Sequence, residues 1–176
     1  MAELTLRGRP PSRPGGEPPA RARWVSAVAA GAVAGIAYIV MQAVLGSVFY
    51  GESVWAPFHR IAAMVLGPMG LEEIDAFDAS VVGMALSIHL GLAALYGIVL
   101  SYLIVEFTRS NAPWLGAVAG LLIYLVNFYG FAGLFPWMAD MRGTVTLLSH
   151  AVFGGLLAAC YWSFYADRPA ARLSLG

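Results

Sequence analysis

Lysine is missing from this chain altogether, and all ten of its basic residues are arginine. Beside so much alanine and glycine, that absence reads as a high-GC bacterial coding bias. Charge of either sign is scarce. Asp, Glu and Arg make up 11% of the 176 residues and cancel to zero, where an average soluble domain carries roughly 25%. A neutral chain has no basic field for nucleic acid, so that class of partner is excluded. There is one cysteine, Cys160, inside an apolar run. A single thiol excludes a disulfide framework or a cysteine metal cluster within the chain, and it reads as a small buried hydrophobe.

What the chain has instead is apolar surface: 60% of it is hydrophobic, with a mean hydropathy of +0.74. A protein this short cannot hide that surface from water, because surface outruns volume at small size. Lipid resolves the conflict. Four segments, 24–51, 79–105, 110–139 and 143–166, contain no Asp, Glu or Arg. Each exceeds the roughly 20 residues that cross a hydrocarbon core. The expected fold is therefore an all-α membrane protein with transmembrane helices over about 24–50, 79–105, 112–135 and 143–166. Asp78 or Ser80 suits the cap of the second helix, Asn111 before Pro113 that of the third, and Thr144 that of the fourth.

Residues 1–23 hold half of the prolines and half of the arginines. That composition forms neither helix nor core and reads as a disordered tail preceding the 24–166 domain, with a second short tail over 167–176. The first apolar run has no convincing cleavage site after it and is expected to be retained. Eight arginines fall in the tails and the 106–113 loop, against Arg60 and Arg142 elsewhere. The positive-inside rule then places both termini in the cytoplasm, across a bacterial inner membrane.

The long 52–78 loop contains Phe58, Ile61, Ala62 and Val65 at helical spacing, with His59 and Arg60 on the other face and Gly67-Pro68 as a stop. This pattern predicts a short amphipathic helix in the membrane interface, anchored by Trp55.

An internal repeat runs through the chain. GAVAG occurs at 31–35 and at 116–120, and the same offset carried forward places Gln42 on Asn127. In the following helices His89 and His150 each begin a His-x-x-apolar-small-small-Leu run. Each hairpin thus carries a small-residue motif, an amide and a histidine in that order, as two parallel repeats about an axis along the membrane normal. GAVAG is no phosphate loop, since it lies within a helix and lacks the following Lys and Ser/Thr.

Gln42, Asn127, His89 and His150 are expected to form one polar layer facing the bundle interior, because polar groups in hydrocarbon are costly. His89 shares a stripe with Ala93, Gly97 and Ser101, and His150 one with Gly154 and Ala158. One reading makes the layer interhelical hydrogen-bond glue. A second makes His89 and His150 ligands of a b-type haem. A third is a metal site that recruits His59, with Asp140 or Glu52. Ser87 and Ser149 neighbour histidines in sequence but point to other helix faces, so no nucleophile dyad forms and an enzyme is not expected.

Trp55-Ala-Pro-Phe-His-Arg-Ile-Ala-Ala-Met-Val-Leu-Gly, with His89 and Ala93-Ala94-Leu95-Tyr96-Gly97, resembles a loosely defined group of small bacterial four-helix membrane proteins of no established function. The likeness covers about 24–166 and implies the architecture alone. The expectation for function is a non-enzymatic scaffold or accessory subunit, partnering other membrane subunits or itself through small-residue faces at Ala27/Gly31/Gly35 and Gly83/Ser87/Gly91. The alternatives are the haem or metal binder and a small transporter-like homodimer.

Overall fold

The computed structural model describes residues 20–104 and 108–166, without the side chains of 20–22 and 166. Those residues are helical, with no strand among them. Five α-helices occur in order: α1 (Ala20–Tyr50), α2 (Ala56–Leu66), α3 (Ala79–Ile104), α4 (Ala112–Leu125) and α5 (Thr144–Ala166). Four spans are long and apolar enough to cross a membrane: Arg23–Tyr50, Ala79–Ile104, Ala112–Gly133 and Thr144–Tyr165. This is the build of a multi-pass membrane protein. The two tails expected at the ends fall outside the described residues, except that α1 already begins at Ala20.

The spans are apolar all round, so packing and not amphipathicity decides what faces inward. α1 lies against α3 on one side and α5 on the other, α5 carries α4, and α3 and α4 barely meet. Glycine sets how close these helices come. A Cβ on Gly31 would strike the carbonyl of Ala93, and one on Gly97 the carbonyl of Ala27. In the second hairpin a Cβ on Gly116 would strike the carbonyl of Gly154, and one on Gly120 that of His150. The Ala27/Gly31/Gly35 face is therefore spent inside the chain, against α3. The Gly83, Ser87 and Gly91 face is open, with nothing within 4 Å of a Cβ placed on either glycine.

Two ends of the bundle differ. Toward the chain termini the core is tight, with Ala27, Ala30, Ala112, Leu157, Ala158 and Tyr161 buried completely. At the other end, called here the loop end, sit α2 and the two long connections. Gly51, at φ 68°, closes α1 with its N–H on Ser47 O at 3.1 Å, a left-handed step that glycine takes freely.

Three expectations change. α2 forms, but His59, expected on its polar face beside Arg60, is 3% exposed and buried with Ala62, while Val65 is 67% exposed. The cause is local hydrogen bonding, since His59 is held between two carbonyls of the loop that α2 covers. The third span does not stay α-helical to residue 135. After Leu125 it widens into a π-turn at Val126–Gly130, then tightens into 3₁₀ turns at Phe131–Gly133 and Pro136–Ala139. The third difference concerns caps. Asp78 caps α3, its Oδ1 accepting from the N–H groups of Ser80 at 2.7 Å and Val81 at 3.1 Å. Asn111 makes no side-chain cap bond, and Thr144 lies inside α5, where the Gly143 carbonyl accepts from Leu147 N–H instead.

Candidate functional site

The irregular end of the third span faces a cleft of about 180 Å³, which Gln42, His89, Asn127 and His150 all border. The polar layer expected from the sequence thus meets at one place, with one member from each membrane-spanning segment. The two stripes of small residues behave as expected too: Ala93, Gly97 and Ser101 below His89 are buried, as are Gly154 and Ala158 below His150.

Each polar group is held differently. Gln42 donates its amide to the Tyr38 hydroxyl at 2.9 Å, one turn back on α1. Tyr96 of α3 donates its hydroxyl to Asn127 Oδ1 at 2.8 Å, bridging α3 to the end of the third span. Asn127 stands in the π-turn, where the extra residue per turn swings its side chain toward α3. Single π-turns of this kind often mark functional positions in helices.

The two histidines have fixed tautomers because both face carbonyl oxygens. His89 Nε2 donates to Gly35 O at 2.8 Å, across the helix interface. That leaves Nδ1 as an acceptor. His150 Nδ1 donates to Thr146 O at 2.8 Å within its own helix, which leaves the Nε2 lone pair pointing away from α5. No hydrogen bond within the described residues occupies that lone pair. Tyr38 lies between the rings, stacked on His89 at 5.3 Å between centroids and edge-on to His150 at 4.7 Å.

This arrangement does not fit a haem. A shared iron would need both imidazole lone pairs aimed at one point across a porphyrin, and a phenol ring occupies that space. His89 has also committed its Nε2 to a backbone bond. Cofactor sites generally run from about 300 Å³ upward, well above the cleft found here. A metal centre built on His59 fits no better. His59 Nδ1 and Nε2 both lie 3.0 Å from carbonyls, of Gly70 and Ala76, so neither nitrogen offers a lone pair outward. Glu52 is held in a bidentate pair by Arg60 at 2.6 and 2.7 Å. Among the described residues no three His, Cys, Asp or Glu side chains group closely enough to hold a metal ion.

Sequence reasoning missed the aromatic partners and the broken helix. Tyr38 lies four residues before Gln42 and so shares its helix face, a spacing that could have been read. The π-turn left only indirect traces in Gly130, Gly133 and Pro136. Arg142 fastens this broken end, donating Nε–H to Phe128 O at 2.8 Å while its guanidinium lies 4.3 Å above the Tyr129 ring.

Toward the loop end the cleft shares Gln42, Arg60 and Met141 with a polar vestibule of about 230 Å³ that also touches Glu52, Asp140 and Arg142. Sideways, Leu92 of α3 and Phe131 beyond α4 both border the cleft and are 36% and 41% exposed on the outer surface. No family model, curated protein or solved structure matches the chain.

Proposed function

We propose that this protein is a non-enzymatic accessory protein of a bacterial cytoplasmic membrane that holds a small amphipathic molecule in its loop-end cleft. The carrying observation is that four polar side chains from four spans converge on one cleft, which shares residues with the loop-end vestibule and is bordered by Leu92 and Phe131, both exposed on the outer surface. Glue alone would not require a void. Hydrogen-bonding residues that only tie helices together pack against one another, as Tyr96 and Asn127 do, whereas His150 keeps an unspent lone pair beside an open space.

The arginine distribution supports cytoplasmic termini, which puts the cleft in the outer half of the membrane. The exposed Val65, Leu66 and Met69 suit contact with the lipid interface beside α2. A parallel repeat is supported by register: Gly31 packs on the residue four beyond His89, and Gly116 on the residue four beyond His150. Under this reading the first copy retained a histidine that grips the partner helix, while the second released its histidine toward the cleft.

The test is extraction of the protein, purified in mild detergent, with organic solvent and mass spectrometry of what is released. A small amphipathic species close to one per chain is expected, depleted in Asn127→Leu and His150→Leu. No such species in any lipid-retaining preparation, together with no thermal stabilisation by a panel of amphiphiles, would overturn the reading.

A second reading, association with another copy or another membrane subunit, is favoured by the open Gly83/Ser87/Gly91 face. Ser87 turns its hydroxyl back onto Gly83 O at 2.8 Å, leaving that face smooth. Ser87→Cys should cross-link between copies in membranes if the partner is the protein itself, and Trp114→Cys, on an exposed lipid-facing position of α4, should not.

A further inference from the structure

The chemistry of the ligand can be narrowed by what the cleft leaves unspent. A dry cavity of about 150 Å³ takes one benzene ring. A cleft of about 180 Å³ therefore seats one substituted six-membered ring and no tail. Its walls are flat: Tyr38, Tyr96, Phe128, Phe131 and Phe153 all border it. Aromatic faces at such distances favour another ring over a branched or globular headgroup.

The polar inventory then decides which ring. Gln42 N–H is committed to Tyr38, and Tyr96 O–H to Asn127 Oδ1. The unspent acceptors are the Nε2 lone pair of His150, Nδ1 of His89 and Oε1 of Gln42, and the unspent donors are the Asn127 amide N–H, the second amide N–H of Gln42 and the Tyr38 hydroxyl. No carboxylate borders the cleft, and the Arg60 guanidinium is paired with Glu52. That set offers no counter-ion for an ammonium and no free cation for an acid. Imidazole lone pairs accept hydrogen bonds, so a ligand that meets the two histidines must donate.

Resting on the cleft-binding reading above, the geometry points to a lipid-borne phenol or hydroquinone as the occupant. Its hydroxyl donates to His150 Nε2 and an oxygen on the ring accepts from the Asn127 amide. Its tail leaves sideways past Leu92 and Phe131, where the spans on either side of the cleft barely touch. The oxidised quinone has carbonyl acceptors only, so its oxygen would face the His150 lone pair with no proton between them. An unsatisfied pair of acceptors in a buried site costs the whole advantage of the contact.

The experiment is thermal unfolding of the full-length protein in detergent with three probes that share a decyl tail: 1,4-hydroquinone, 1,4-benzoquinone and plain benzene. Hydroquinone is expected to raise Tm at a concentration at least tenfold lower than benzoquinone. His150→Leu should erase that difference while leaving the weak decylbenzene response intact, and Asn127→Leu serves the same comparison if His150→Leu does not fold. Equal potency of hydroquinone and benzoquinone, or a difference that survives His150→Leu, overturns the donor assignment and leaves the cleft reading standing. Stabilisation by decylbenzene alone overturns the ligand class. No response to any of the three in a folded protein overturns this assignment, and together with empty solvent extracts it overturns the cleft reading as well.

Discussion

The two ends of this bundle are built from the same four helices and differ in what stands between them. At the terminal end, glycines and alanines let backbone lie on backbone, and little space is left. At the loop end the interface residues are Tyr38, Phe128, Phe153 and two histidines, rings that prop the helices apart. Rings of this size meet edge to face with centroids several ångströms apart, so they tile a cleft without filling it. A membrane bundle gains nothing from hydrophobic collapse between its helices, because lipid is as apolar as leucine. Its stability therefore concentrates where packing is closest, and a binding site is tolerated where it is not.

The largest expected effect would break the tight end. Gly116→Val drives a branched side chain into the backbone of α5 at Gly154, where nothing flexible can yield. We expect a loss of about 3 kcal/mol or more, seen as failure to recover folded, monodisperse protein. Gly83→Val places the same side chain on the open face of α3 and should leave Tm of the isolated chain nearly unchanged. If the two variants behave alike, close approach is not what holds the spans together.

At the loop end the effect should be smaller and of a different kind. Tyr38→Ala removes a buried ring but next to a cleft that already exists, so we expect about 2–3 kcal/mol, at or below the low end of the range for aromatic truncation in closed cores. The same variant sharpens the cofactor question. With Tyr38 in place the purified protein should show no Soret band. A Soret band with sharp reduced bands, lost in His89→Ala, would mean that Tyr38 moves aside and that the loop end is far more plastic than its packing implies.

Arg142→Gln comes next. It strips the cation from Phe128 O and from the face of Tyr129, the contacts that fasten the π-turn. A charged hydrogen bond that is only partly buried is worth about 1 kcal/mol. The expected result is a modest drop in Tm together with faster amide exchange at 126–130, and unchanged exchange at 112–120. Uniform acceleration along the whole third span would instead mean that the span unfolds as one unit.

These contrasts also mark what was legible in the sequence. Span number and limits could be read, because twenty uncharged residues in a row have one physical interpretation. That Gln42, Asn127, His89 and His150 border one cleft was legible from their height along four apolar runs and from helical spacing. The burial of His59 was not, because the carbonyls that hold its two ring nitrogens at 3.0 Å come from Gly70 and Ala76, in a loop with no periodicity to read. The π-turn was hidden for a similar reason. Gly130 weakens an ordinary helix there but does not specify a π-turn, and the turn is fastened by Arg142, sixteen residues beyond its start, folding back onto it.

The smallest effect concerns acid. Asp78 sits at the start of α3, and the Ser80 hydroxyl, then the backbone N–H groups of Val81 and Ser80, hold its carboxyl below the ordinary value of 3.8. A carboxyl depressed in the folded state stabilises above its unfolded value, and that contribution fades as pH falls through the lower folded value. The loop end should therefore loosen first below about pH 4, and the change should show as faster exchange in the first turn of α3, while the glycine contacts at the terminal end hold. Asp78→Asn keeps a side chain that caps nearly as well but cannot titrate, so it should lower Tm slightly at neutral pH and flatten the acid dependence of that turn. Because Asp78 is solvent-exposed, the effect should also shrink in high salt. If the acid response is unchanged in Asp78→Asn, the difference in acid sensitivity between the two ends does not belong to the helix cap.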